Sequence, residues 1–130
     1  LMADERVIPA PPINGETQEW WDACNDGKFL IPKDNSNGEF FWYPRKNSPL
    51  TGSNDISWHE ASGNGTIYSH STLWRAAPPY CLAYVTLDEG VTVMTNIVDT
   101  DFEGVHIGQK VRLVFKKAED GNNVPCFTPA

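Results

Sequence analysis

Four runs decide the fold of this chain: GTIYSHSTLW (65–74), YCLAYVTLD (80–88), VTVMTNI (91–97) and VRLVF (111–115). A half-buried strand needs apolar side chains on every second residue, and these runs supply them. Ile67 and Leu73 fall on one face of the first run, and Tyr68 and Trp74 on the other. Cys81, Ala83, Val85 and Leu87 align in the second, Val91, Val93, Thr95 and Ile97 in the third, and Val111, Leu113 and Phe115 in the fourth. Pro78-Pro79, Asp88-Glu89-Gly90, Gly108-Gln109 and Asp120-Gly121-Asn122 separate strands with turn chemistry. Short strands at this spacing, with no helical pattern between them, predict a closed or nearly closed antiparallel barrel.

Working outward, 130 residues make about one domain, long enough to bury a real core. The balance of 40% hydrophobic to 21% charged residues is that of a soluble globular protein. A net charge of −7 repels phosphate polymers, which counts against nucleic-acid binding. Cys24, Cys81 and Cys126 are odd in number and form no C-x-x-C pair, so they read as reduced core thiols in a cytoplasmic setting. No leader pattern and no apolar run of membrane-spanning length is expected, and Leu1 ahead of Met2 places the natural start at Met2.

Residues 1–27 read as a proline-rich arm followed by a helix over about Glu16 to Asp26. Asn14 is a candidate cap and Gly27 a stop, and Thr17, Trp20, Trp21 and Cys24 form an apolar edge. Residues 28–61 are irregular. Phe29-Leu30-Ile31-Pro32 and Phe40-Phe41-Trp42-Tyr43-Pro44 flank the turn Lys33 to Gly38, and a second turn-rich piece runs from Lys46 to Asp55. The barrel occupies 62–130.

Chemistry-bearing residues are sparse. His59, His70 and His106 are far apart in sequence and read as strand or surface residues. Cys24 lies at the wrong end of its helix for a lowered thiol pKa. Asp88-Glu89 and Asp99, Asp101 and Glu103 read as solvated turn acids. Gly63-x-Gly65 lacks the strand-then-helix setting of a phosphate loop and reads as a turn or bulge. Two segments stand out: Trp42, Tyr43, Pro44, Arg45 and Lys46, and Trp74, Arg75, Pro78, Pro79 and Tyr80. Aromatic, Arg and Pro beside a loop match the composition of interface hot spots; the alternative is that these aromatics cap the barrel ends.

The order of helix, double-turn module and barrel resembles the DUF35 family. The resemblance rests on Trp20-Trp21 with Gly27-Lys28-Phe29-Leu30, then Tyr43-Pro44-Arg45 and Ser62-Gly63-Asn64-Gly65-Thr66-Ile67-Tyr68-Ser69. It continues through Pro78-Pro79-Tyr80, Ala83 to Gly90, Thr95-Asn96-Ile97-Val98, Ile107 to Val111 and Val124-Pro125-Cys126-Phe127. It implies a mainly β protein: an N-terminal helix, a rubredoxin-like zinc ribbon and a five-stranded antiparallel OB-fold barrel. The family's two C-x-x-C pairs fall on Asp34, Asn37, Ser48 and Thr51, so the resemblance implies a ribbon that binds no zinc and is held instead by polar hydrogen bonds and aromatic packing. It also implies a non-catalytic accessory subunit of a thiolase, an acyltransferase or a lipid-transfer-protein-like thiolase. Such a subunit stabilises the larger chain and helps enclose a CoA thioester, with neither nucleic acid nor membrane as partner. Lys33, Arg45, Lys46 and Arg75 are the cations expected to face CoA phosphates. The alternative is a stand-alone OB-fold module binding acyl-CoA.

Overall fold

A computed structural model describes residues 7–11, 17–45 and 47–130. One helix, α1 (Gln18–Asn25), precedes eight strands: β1 (Leu30–Asp34), β2 (Glu39–Phe40), β3 (Ile56–Glu60), β4 (Asn64–Leu73), β5 (Tyr80–Leu87), β6 (Thr92–Ile97), β7 (Lys110–Lys117) and β8 (Asn123–Pro129). The first three form a sheet in the order β2-β1-β3, and the last five close a barrel in the order β4-β5-β6-β8-β7. No described helix is long and apolar enough to cross a membrane.

Helix α1 forms where the sequence places it, burying Trp20, Trp21 and Cys24 on one edge with Thr17 beside them. The residues named as its start, Asn14 and Glu16, lie outside the described residues, as does Lys46. Gly27 takes φ 78°, a left-handed stop that costs glycine no Cβ clash, and Lys28 N–H donates to the Ala23 carbonyl. The C-terminal end is then tied to the far end of the chain. Asn123 Nδ2 donates to the Cys24 carbonyl at 3.0 Å, and Asn25 Oδ1 accepts from Asn123 N–H at 2.7 Å. The Cys24 carbonyl thus accepts twice, from Gly27 N–H in the capping turn and from this long-range amide.

The alternation read from the sequence holds through β5 and β6. Cys81, Ala83, Val85 and Leu87 are buried, as are Val93, Thr95 and Ile97. Four ladders of the barrel are antiparallel; closure is made by a single parallel pairing, Ile97 with Phe127. Val98 N–H to the Phe127 carbonyl (2.9 Å) and Thr95 Oγ1 to the Pro125 carbonyl (3.2 Å) reinforce that seam. The five-stranded barrel read from the sequence is thus present, with one parallel seam where β6, the strand before η1 (Phe102–Gly104), meets the last strand.

Gly63 takes φ 87° in the bend before β4, as a turn residue does. The bulge lies at Tyr68, where the register shifts between Ile67 and Ser69, and not in Gly63-x-Gly65. Gly65 is instead a point of close approach: a Cβ there would stand 2.6 Å from Val85 Cγ1 and 3.0 Å from the Thr86 carbonyl oxygen. Strand β8 is buried on both faces, with Cys126, Phe127 and Thr128 all inaccessible in succession, because α1 packs on its outer side. Phe29 carries the aromatic cluster onto the barrel through Phe127, ring centroids 6.3 Å apart.

Candidate functional site

The loops around β1 gather a polar knot. Asp34, fully buried at the end of β1, accepts from Ser36 N–H (2.9 Å) and Ser36 Oγ (2.5 Å) on Oδ1, and from Thr51 Oγ1 (2.6 Å) on Oδ2. Ser48, also buried, lies within hydrogen-bonding reach of the same carboxylate. These donors favour the charged form and hold the carboxyl well below the usual range, the Ser36 hydroxyl contributing most and Thr51 next. Three of the four positions matched to the family's zinc ligands therefore meet. Asn37 does not; it is exposed, and its Oδ1 accepts from Glu39 N–H. Ser36 takes its place because an aspartate readily captures the N–H two residues on.

This donor set does not fit zinc. A structural zinc site takes four thiolate or imidazole ligands; here one carboxylate stands among hydroxyls, with both oxygens already engaged. Among the described residues, no three His, Cys, Asp or Glu side chains converge to hold a metal.

The two aromatic–Arg segments go separate ways. Trp42 is half-buried and packs edge-on to Trp20 (5.6 Å) and Phe29 (5.5 Å), so much of its surface serves the internal cluster. Tyr43, beside it, stays exposed, as does Arg45. Trp74 is 53% exposed and leans on Phe102 at 6.2 Å; Arg75 is exposed, while Pro79 and Tyr80 are half-buried. Among the CoA-facing cations expected from the sequence, Lys33 places Nζ 5.7 Å from the Phe40 ring centroid.

What the sequence reading missed lies between α1 and the barrel. An apolar groove of about 300 Å³ has Trp20, Trp21, Phe29, Trp42 and Phe127 in its lining. Tyr43, Tyr84 and Met94, all exposed, line it too. The two indole N–H groups beside it differ: Trp20 Nε1 donates to the Leu30 carbonyl at 2.7 Å, whereas Trp21 Nε1 is buried without an acceptor. The available signal was the size of the outward side chains of β5 and β6, which alternation arguments treat as filler.

No described side chain is set up as a nucleophile. Cys24, Cys81 and Cys126 are buried thiols, and burial pushes the Cys24 thiol up to about 12. His59 Nε2 meets Ser57 Oγ at 2.8 Å and His106 Nδ1 meets the Gly104 carbonyl at 3.0 Å, in separate parts of the molecule.

Comparison with known proteins accords with this architecture. Residues 58–116 match the family described as ChsH2, C-terminal OB-fold domain. The chain is 30% identical over 104 residues to a DUF35 domain-containing scaffold protein of Pyrococcus furiosus, covering 75% of this chain and 68% of that protein. It is 29% identical over 127 residues to a probable enoyl-CoA hydratase alpha subunit of Thermomonospora curvata, covering 94% of this chain but only 40% of that protein's length. The structure also superposes on that of the Ltp2-ChsH2(DUF35) aldolase with a TM-score of 0.81 and 28% identity, over 92% of this chain and 98% of the other. An α1–sheet–barrel chain matching these proteins along most of its length belongs to the DUF35 family, with an OB-fold as its C-terminal half.

Proposed function

We propose that this chain is a non-catalytic accessory subunit that docks onto a thiolase-like acyl-CoA enzyme, stabilises it and helps enclose the CoA thioester. The observation that carries the reading is the whole-length similarity to a chain of the Ltp2-ChsH2(DUF35) aldolase. The scaffold protein of Pyrococcus furiosus and the enoyl-CoA hydratase subunit support the same context. The side-chain chemistry agrees with it. General acid–base or nucleophilic catalysis needs converging groups with shifted pKa values, and the strongly shifted groups here are a hydrogen-bonded aspartate and a buried thiol. The reacting groups then belong to the larger subunit. Arg45 and Arg75 are the exposed cations this reading aims at CoA phosphates.

The test is affinity isolation of the chain from its own cells, with co-purifying proteins identified by mass spectrometry. A thiolase-fold protein in stoichiometric amount is the expected result. The apolar groove favours a second reading, a stand-alone acyl-CoA-binding module. A partnerless, monodisperse chain that binds CoA esters by itself would establish that reading and overturn the first.

A further inference from the structure

The outer wall of the barrel is divided by charge. Strands β4, β5 and β6 contain no Asp, Glu, Lys or Arg, whereas β7 carries Lys110, Arg112, Lys116 and Lys117. On the uncharged side, Tyr84 of β5 stands directly opposite Met94 of β6. Tyr68, the extra residue of the β4 bulge, precedes Ser69, which pairs with Tyr84 on the other side. These three side chains are 68% (Tyr68), 48% (Tyr84) and 63% (Met94) exposed, and cross-strand neighbours lie within contact range. The row continues into the groove, whose lining Tyr84 and Met94 share with Tyr43.

We infer that this Tyr68–Tyr84–Met94 face, with the groove beside it, is the surface on which the partner subunit docks, and that the partner meets it with an apolar centre inside a basic margin. The inference rests on the accessory-subunit reading and gives that reading a place on the molecule. Interface centres are depleted of charge and enriched in Tyr and Met, and a groove beside them receives an anchoring side chain. The margin follows from charge complementarity. Asp88 and Glu89 form the turn before β6, and Asp101 and Glu103 follow it, while Asp99 is ion-paired with Lys116 at 2.7 Å; acids thus bracket the uncharged face at both ends. A second copy would bring two chains of net charge −7 together with the same acidic brackets. A nucleic acid needs cations beside the stacking aromatics, and this face supplies none.

The test is hydroxyl-radical footprinting of the complex isolated from its own cells against the purified chain alone, with sedimentation of the chain alone. Loss of labelling at Tyr68, Tyr84 and Met94 in the complex is expected. So is an affinity about a hundredfold weaker for the Tyr84→Glu, Met94→Glu double variant, with its thermal transition retained. Labelling of all three at the free-chain rate in a complex with an acyl-CoA enzyme overturns the docking face and leaves the proposed function standing. Protection by a subunit without acyl-CoA activity supports the face and overturns the function. Protection already present in a self-associated chain overturns the heterologous partner, as does unchanged affinity in the double variant.

Discussion

Thr51 Oγ1 donates to Asp34 Oδ2 at 2.6 Å, so a loop hydroxyl closes on a carboxylate 17 residues earlier. With Ser36 on the other oxygen, the charged carboxylate becomes the centre of the β1 end of the sheet. Its folded-state pKa is lowered from 3.8, so its contribution is complete above that value and is lost as pH falls below it. Urea midpoints followed by tryptophan fluorescence should fall below about pH 4 in the parent chain. Asp34→Asn should start lower at pH 7 and lose part of that acid slope. An identical slope in the variant would remove Asp34 from the account.

Zinc should have nothing to grip in this knot. The purified protein is expected to contain no stoichiometric zinc by elemental analysis, and neither chelator nor added zinc should move its thermal midpoint. One zinc per chain would overturn the reading of Asp34, Asn37, Ser48 and Thr51.

The paired tryptophans should respond unequally to the same change. Trp20→Phe strands the Leu30 carbonyl and is expected to cost roughly 1–3 kcal/mol beyond lost packing. Trp21→Phe deletes a donor that has no acceptor, so its cost should be smaller. Denaturant midpoints of the two variants decide the matter, and equal losses would contradict it.

How much of this was legible beforehand varies with the range of the interaction. The β5 and β6 alternation and the Trp20–Trp21–Cys24 edge were readable because strand and helix periods act locally. The Asn123 link to Cys24 was not, since 99 residues separate the two and no period connects them. Ser36 went unnoticed because spacing pointed to Asn37, while the turn after Asp34 delivers the nearer hydroxyl. Tyr84 and Met94 were in plain view as outward residues; what marks them is the missing charge around them, a property of three strands together.

The thiols should be silent in the native state. Cys24, Cys81 and Cys126 are buried, and the Cys24 thiol is pushed up to about 12. An aromatic disulfide reagent at pH 8 should titrate none of them within minutes and all three after unfolding. Rapid native labelling would mean that α1 opens from β8.

Trp74 and Arg75 test whether the loop after β4 also contacts the proposed partner. Trp74 leans on Phe102 and is otherwise open, so Trp74→Ala and Arg75→Ala should each shift stability by no more than about 1 kcal/mol. Both should weaken the complex. Unchanged affinity in both variants would return this loop to capping the barrel.

The closed strand order bears on how the exposed wall of the barrel behaves in the free chain. A wall bearing Tyr68, Tyr84 and Met94 invites self-adhesion, yet aggregation by strand addition needs a row of free backbone donors and acceptors. Closure pairs β4 with β7 over Asn64, Gly65 and Thr66, and β6 with β8 at Ile97, which removes part of that row from the barrel. In the small sheet, one margin is only two residues long, and the other, β3, ends in exposed His59 and Glu60. Ring closure thus shortens the backbone template for fibrous growth beside Tyr68, Tyr84 and Met94, and leaves their side chains as the main adhesive feature of that wall.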